Sequence, residues 1–190
     1  MPINDFLMQL SWAFSLLLPI LISGLFFIAC MKRGWLAFLD KPMDFGLALA
    51  GKRIFGPNKN WRGALIYVFG GTAITVLFHQ LTASQGWLAP IYQLNPYALG
   101  LASTMAYVAG ELANSFIKRR LKIAAGAKAG TPITRTIQAF FDNADGALAA
   151  TVVTVFGFGI TETYVWLAFA LALITHWASD LLMKRLSLKH

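Results

Sequence analysis

The sequence predicts an all-α integral membrane protein with about five transmembrane helices. Of its 190 residues, 57% are hydrophobic and only 13% are charged, whereas about a quarter of the residues in a soluble globular protein are charged. Charged residues are absent from 6–31, 63–110, 146–161 and 163–179. Stretches of this length approach the roughly 20 apolar residues that a helix needs to cross a bilayer.

Five spans follow from the uncharged stretches and their flanks, at about 8–30, 63–82, 97–117, 139–160 and 163–183. Two sizeable connections remain, at 32–62 and 118–138, and the chemistry is expected there and at the adjoining helix ends. No internal repeat or linker marks off a second unit. We therefore expect a single membrane-embedded domain over residues 1–190.

The basic residues predict how the helices are oriented. Of the 16 Lys and Arg, seven lie between 32 and 62, six between 118 and 135, and three between 184 and 189. An odd number of spans places all three groups on one side, which the positive-inside rule makes cytoplasmic, with the N-terminus outside. Basic residues concentrated at one leaflet attract anionic headgroups and nucleotide phosphates, so we expect lipids and a nucleotide as partners, and no nucleic acid.

The third span carries polar residues that a purely structural span does not need. Glu111, Asn114, Ser115 and Lys118 are separated by three, four and seven positions, so they share one helix face. An ionisable side chain within a span costs about 2.5–3.5 kcal/mol on insertion scales. This face is therefore predicted to line a polar site.

Two acids three residues apart, Asp142 and Asp145, lie on the fourth predicted span. Neighbouring carboxylates repel each other unless a cation lies between them, and Mg²⁺ is commonly bound by one or two carboxylates together with substrate phosphates. The alternative is that each acid pairs with a basic residue or caps the start of the helix. Asp180 precedes Lys184 by four positions, and an interfacial ion pair is the simpler interpretation there.

The first basic loop contains the stretch GKRIFGPNKNWRG. Its glycines at 51, 56 and 63 and the proline at 57 are predicted to prevent a continuous helix. Basic side chains are interleaved with them, as in loops that wrap phosphates. The spacing of a Walker A loop is absent, and a basic cluster that only sets topology remains the alternative.

Four blocks, KPMDFG, KRIFGPNKNWRG, GELANSFIKRRLKIAAG and the later DNAD, resemble the CDP-archaeol synthase family in order and spacing. These integral membrane cytidylyltransferases are related to CDP-diacylglycerol synthases. The resemblance implies a Mg²⁺-dependent transfer of CMP from CTP to a lipid phosphate, giving a CDP-activated lipid and pyrophosphate. It implies an enzyme of the cytoplasmic membrane with its active site on the cytoplasmic side.

The resemblance also assigns roles residue by residue. It implies catalytic roles for Lys59, Arg62, Glu111 and Lys118; contacts to CTP or the lipid phosphate for Lys41, Asp44, Arg53, Gly56, Trp61, Asn114, Ser115 and Arg119; and Mg²⁺ ligation by Asp142 and Asp145. The sequence departs from the family pattern at Asn60, where threonine is expected, and at the stretch DNADG, where the family more often has DQxDF. Glu111 also stands where aspartate is commoner.

Two other functions compete. A CDP-alcohol phosphotransferase motif is matched at Asp142, Asp145 and Gly146, but its arginine is replaced by Ala150 and its last two acids by Thr163 and Leu167. Intramembrane acids alone would also suit a transporter or a lipid-binding scaffold without catalysis. Ether or ester lipid chains, the stereochemistry of the glycerol phosphate and a possible homodimer are left open by the sequence.

Overall fold

A computed structural model describes residues 3–82, 94–127, 130–160 and 162–187. Its helices are α1 (Ile3–Arg33), α2 (Trp61–Leu65), α3 (Gly71–Thr82), α4 (Pro96–Arg120), α5 (Pro132–Val152) and α6 (Thr163–Arg185). The π-helical segment Ile66–Gly70 joins α2 to α3, and a second one, Val153–Gly157, extends α5. The loop after α1 holds a 3₁₀ turn, Ala37–Leu39, and an antiparallel hairpin of β1 (Ala48–Leu49) and β2 (Lys52–Arg53), in which Ala48 is opposite Arg53.

The helices confirm the predicted all-α membrane class. Within the described residues, three helical stretches are long and apolar enough to cross a membrane: Ile3–Arg33, Trp61–Leu81 and Thr163–Arg185. The helices α4 and α5 are of similar length, but they carry the polar residues from which a site is predicted. The count of five spans and their orientation stay predictions. Residues 83–93, between the second and third predicted spans, lie outside the described residues.

Helix α5, which corresponds to the fourth predicted span, begins at Pro132, earlier than the predicted 139. Thr131 caps it by accepting a hydrogen bond from the backbone N–H of Thr134, and Pro132 occupies the first turn, a pairing typical of helix starts. The connection after α4 therefore spans only 121–131. Since Asp142 lies about three turns inside α5, the alternative that the two acids cap the start of the helix is wrong.

The first basic loop forms no continuous helix, as predicted, and α2 begins only at its end. Gly63 lies inside α2, where its backbone N–H donates to the side chain of Asn60 at 2.9 Å. A glycine inside a helix costs about 1 kcal/mol relative to alanine, and a side-chain N-cap contributes a similar amount. The cap thus offsets the glycine, and the helix begins directly after the loop.

Close packing between α4 and α5 positions the predicted site. A Cβ atom added at Gly110 would lie 2.3 Å from the backbone oxygen of Asp145, and one added at Gly146 would lie 2.7 Å from the ring of Tyr107. Such a short approach requires glycine on both helices. A separate buried cluster of Ala13, Leu99, Tyr164 and Val165 joins α1, α4 and α6.

Candidate active site

Asn114 joins the two predicted metal-binding acids. Its side-chain amide donates to Asp142 Oδ1 at 2.7 Å and to Asp145 Oδ2 at 2.8 Å. One turn further along α4, the ammonium group of Lys118 lies 2.6 Å from the same oxygen of Asp142. The close approach of α4 and α5 at Gly110 brings these side chains together, so the polar face of the third span meets the acids of the fourth, as the spacing predicted.

Lys59 brings the first basic loop to this cluster. Its ammonium group lies 2.5 Å from Glu111 Oε2. Burial alone would lower the pKa of Lys59, but the negative charge and hydrogen bond of Glu111 raise it overall. Lys59 is therefore cationic at neutral pH. A residue of the loop is thereby fixed against α4, one turn before Asn114.

The charges of this cluster do not balance. Lys59 pairs with Glu111 and Lys118 pairs with Asp142. Asp145 accepts hydrogen bonds from Asn114 and from the backbone N–H of Gly146, but it forms no salt bridge within the part of the chain that the structure describes. Two ammonium groups and three carboxylates leave one net negative charge, which favours binding of a cation.

Asp44 organises the first loop from within. Its side chain is fully buried in a salt bridge with Arg53, and it accepts hydrogen bonds from the backbone N–H groups of Gly46, Phe55 and Gly56 at 2.8–3.0 Å. Burial would raise the pKa of Asp44, but these hydrogen bonds hold it well below its usual range. In the structure Asp44 therefore binds groups of its own loop, and its predicted contact with substrate stays a prediction.

Arg119 also contacts the loop backbone. Its Nε donates to the carbonyl of Phe55 at 3.1 Å, and its Nη1 donates to the carbonyl of Ile123. Gly56 has a φ of +100°, and a Cβ atom there would lie 2.9 Å from Arg119 Nε. Glycine is required at position 56 both by this close contact and by the backbone conformation.

Arg62 lies at a different point from Lys59. Its guanidinium is buried, pairs with Asp40 at 3.0 Å and donates to the carbonyl of Trp35 at 3.4 Å. Asp40 also accepts a hydrogen bond from Asn60 at 2.5 Å. These contacts tie the start of α2 to the segment after α1, and the structure does not bring Arg62 into contact with the acids of α5.

The remaining predicted residues lie around the same loop. Trp61 packs against Phe45, with ring centroids 6.2 Å apart, and its backbone N–H donates to the carbonyl of Lys41 at 3.0 Å. Lys41 itself is exposed, and Ser115 is buried on α4. Of the predicted set, the structure therefore gathers Lys59, Glu111, Asn114, Lys118, Asp142 and Asp145 into one cluster. The others lie in or next to the first loop, except Ser115 and Arg119, which lie on α4.

Comparison with known proteins decides the family. The family model described as CarS-like, CDP-archaeol synthase, matches residues 11–190. The chain belongs to this CDP-archaeol synthase family. The match includes all four blocks on which the resemblance was based, so the family predicted from the sequence is confirmed.

Named CDP-archaeol synthases are similar to this chain. The enzyme of Methanopyrus kandleri is 29% identical over 177 residues, which cover 91% of this chain and 87% of the relative. The enzyme of Pyrococcus furiosus is 39% identical over 88 residues, and that of Halobacterium salinarum is 34% identical over 84 residues. These two matches cover 45% and 42% of this chain and span just under half of each relative, at 48% and 45%.

A solved structure supports the membrane assignment. It is that of an intramembrane enzyme for the biosynthesis of archaeal membrane lipids, and it has a TM-score of 0.61 and 25% sequence identity. The similarity covers 90% of this chain and 94% of that one. Together with the long apolar helices, this likeness identifies the chain as an integral membrane protein.

Arg120 is a residue of this site region to which the sequence assigned no role. Its guanidinium donates to the carbonyls of Leu49, Lys52 and Arg53 at 2.6–2.9 Å, while Lys52 donates to the carbonyl of Arg120 at 3.0 Å. Arg120 thus fixes the hairpin on the end of α4. In the sequence Arg120 belongs to the basic run Lys118–Arg120, and such a run is equally consistent with a signal that only sets the membrane topology.

Proposed function

We propose that this protein transfers CMP from CTP to a lipid phosphate, giving a CDP-activated lipid and pyrophosphate. The observation that carries the proposal is the cluster of Lys59, Glu111, Asn114, Lys118 and the two acids of α5, in a chain of the CDP-archaeol synthase family. The CDP-alcohol phosphotransferase motif is incomplete, whereas the CDP-archaeol synthase model matches residues 11–190. The cationic loop beside three carboxylates suits a nucleotide better than a transport path.

In the proposed reaction, a phosphate oxygen of the lipid forms a bond to the α-phosphorus of CTP. The bond from that phosphorus to the bridging oxygen of the β-phosphate breaks, and pyrophosphate leaves with the bonding electrons. Phosphoryl transfer asks little covalent chemistry of a protein, so positioning and charge neutralisation account for most of the rate. Lys59, paired with Glu111, and Lys118, paired with Asp142, supply positive charge to the cluster.

The acids of α5 fit a magnesium ion. Their side-chain oxygens share one amide donor, and Asp145 has no basic partner among the described residues. No group of three or more His, Cys, Asp or Glu side chains forms a metal cage within those residues, and Mg²⁺ in nucleotide enzymes typically has one or two carboxylates and takes further oxygens from phosphates and water. Asp142 and Asp145 would hold the ion, which when bound supplies charge stabilisation for the triphosphate.

The sidedness of the site is part of the proposal. The helices α1, α4 and α6 all end in basic residues, at Arg33, Arg120 and Arg185. With five spans these ends share one side, which the positive-inside rule makes cytoplasmic. A cysteine placed at Ala124 in the loop after α4 is expected to react with an impermeant reagent only from the cytoplasmic side, and labelling from outside intact cells would refute this orientation.

Mass spectrometry of reaction products tests the proposed activity. Purified protein is incubated with CTP, Mg²⁺ and a panel of lipid phosphates with ether- or ester-linked chains, and CDP-lipid and pyrophosphate are measured together. We expect equimolar formation of the two products with at least one lipid. A parallel reaction with a CDP-lipid and an alcohol acceptor tests the phosphotransferase, and CMP release only in that reaction would overturn the proposal.

A further inference from the structure

Large apolar side chains are exposed on the loop between α1 and α2, outside the helices that are long enough to cross a membrane. Their exposed fractions run from 37% to 71%, with Phe38 the highest. We call this set the apolar loop face; it consists of Trp35, Leu36, Phe38, Phe45, Leu47 and Leu49. Exposed apolar clusters of this kind usually mark a surface that contacts another protein, a ligand or a membrane.

The loop backbone holds these side chains outward at a conformational cost. Leu36 has a φ of 55° and Phe45 a φ of 46°, a left-handed region that bulky side chains avoid. Backbone hydrogen bonds fix the turn, from Phe45 N–H to the carbonyl of Pro42 at 3.0 Å and from Leu47 N–H to the carbonyl of Asp44 at 2.7 Å. The exposure is therefore a property of an ordered turn that Asp44 stabilises from within.

Basic side chains border the apolar loop face. Lys32 and Arg33 end α1, Lys41 lies between the two apolar groups, and Lys52 follows in the hairpin. The guanidinium of Arg33 lies 4.7 Å from the centre of the Trp35 ring. Aromatic and aliphatic side chains flanked by Lys and Arg are typical of segments that lie in the interfacial layer of a membrane with anionic lipids.

Both ends of the loop are attached to helices of the membrane domain. The loop leaves α1 at Arg33 and enters α2 at Trp61, and each helix belongs to a stretch apolar enough to span the bilayer. The loop therefore starts and returns at the same membrane surface. An apolar surface tethered there at both ends reaches lipid without any movement of the helices.

We propose that the apolar loop face is inserted into the interfacial layer of the leaflet next to the site. Its apolar side chains lie among the lipid chains, and its bordering Lys and Arg contact anionic headgroups. The inference rests on the membrane location of the chain. Combined with the proposed function, it places Arg53 and Lys59 at headgroup depth, so that a lipid phosphate reaches them without leaving its leaflet.

Spin labelling measures this insertion directly and independently of activity. Cysteines replace Phe38 and Leu47 one at a time in the full chain, and each is labelled with a nitroxide after reconstitution into liposomes that contain anionic lipid. The native Cys30 has 0% exposed surface, so the parent protein serves as the unlabelled control. Collision rates with oxygen, which concentrates in lipid, are compared with those of a water-soluble nickel chelate.

Two matched positions calibrate the measurement. Ile174, exposed to 62% on α6, provides the lipid-facing reference, and Ala124, exposed in the loop after α4, provides the aqueous reference. We expect labels at 38 and 47 to show an oxygen-to-nickel collision ratio several-fold above that at 124. Ratios equal to that at 124, in variants whose unfolding temperature is unchanged, overturn the proposal.

Other occupants of the surface give different signals. If the apolar loop face covers the nucleotide, the labels become protected only when CTP and Mg²⁺ are added. If it binds a second copy of the chain, spin–spin broadening appears and disappears on dilution with unlabelled protein. Either result replaces the membrane as the partner. Insertion with no detectable cytidylyl transfer would leave this inference standing and refute the proposed function instead.

Discussion

Asp145 offers the sharpest test of the proposed metal site, because it is the carboxylate of the cluster without a basic partner in the described chain. Each of the two acids has an oxygen within 2.8 Å of the Asn114 amide nitrogen, so these two oxygens are less than about 6 Å apart. At an effective dielectric constant of 20, two unit charges at that distance repel by about 3 kcal/mol. Solvent at the partly exposed side chain of Asp142 reduces this to roughly 1 kcal/mol.

Replacing Asp145 with asparagine removes that repulsion and keeps the size of the side chain. We expect the protein to remain folded, with its stability unchanged or raised by up to about 1 kcal/mol. If Asp145 holds Mg²⁺, turnover falls by about 10²-fold or more, which corresponds to at least about 2.7 kcal/mol of lost transition-state stabilisation. Stability and catalysis should therefore change in opposite directions.

The assay is CTP-dependent pyrophosphate release over a Mg²⁺ titration, with thermal unfolding measured on the same preparation. Asp5→Asn is the matched control, since Asp5 lies in the first turn of α1 and its replacement makes the same change in net charge. A folded Asp145→Asn protein that keeps near-normal activity at every Mg²⁺ concentration would remove the metal assignment. Loss of both folding and activity would instead show that Asp145 is structural.

Three further predictions concern the loop and its contacts. Asp44→Asn should destabilise the protein by about 2 kcal/mol at pH 7, since it weakens several charge-assisted hydrogen bonds. Because the pKa of Asp44 is lowered in the fold, the stabilisation is complete above about pH 5 and is lost as the pH falls further. The difference in unfolding temperature between wild type and variant should therefore narrow below about pH 5. Arg120→Ala frees the hairpin and should raise the KM for CTP by about tenfold, which corresponds to about 1.4 kcal/mol of lost binding free energy. Lys122 is an exposed cation nearby, and Lys122→Ala should leave the KM unchanged. Asp142→Asn should lower Mg²⁺-dependent turnover. It should also tighten CTP binding, measured calorimetrically without metal, because it frees the charge of Lys118 for a phosphate. Weaker CTP binding without metal would contradict this.

Much of the helical arrangement could be predicted, because the length of a membrane span and the spacing of residues along a helix face can both be recognised within a short stretch of sequence. Uncharged stretches of about 20 residues indicated the helices, and the 3.6-residue repeat placed Glu111, Asn114 and Lys118 on one face. The apolar stretch predicts a start for α5 near residue 139, but the helix begins at Pro132 because Thr131 caps it there. The Thr131–Pro132 dipeptide is a standard helix start and would have placed Asp142 well inside the helix.

The loop contacts could not be predicted, because they join residues that are far apart in sequence. Lys59 and Glu111 are 52 positions apart, and Arg120 contacts the hairpin across 67–71 positions. The Arg120 contacts are made to backbone carbonyls, which any sequence possesses, so side-chain identity gives no signal for them. The close approach at Gly110 could not be predicted either. A lone glycine in a helix indicates either a weakened helix or a close packing contact, but it does not identify the packing partner.

The four salt bridges among the described residues share one feature that bears on how substrate would bind. Each joins a cation predicted to act on phosphate to an acid of the protein: Arg53 to Asp44, Lys59 to Glu111, Arg62 to Asp40 and Lys118 to Asp142. Without substrate these cations are therefore neutralised internally, which avoids uncompensated charge at the membrane.

Binding of CTP must then exchange partners as well as form new contacts. Arg53 is held by Asp44, and Arg62 is held by Asp40 and the carbonyl of Trp35, so we expect these two cations to retain their partners. Lys118 differs, because Asp142 is also a proposed metal ligand and its side chain is about a third exposed, at 35%. A cation bound at Asp142 weakens the attraction that holds Lys118 and frees its charge for a phosphate. On the proposed metal assignment, metal and nucleotide binding would be coupled through one carboxylate, and by linkage each should increase the affinity for the other.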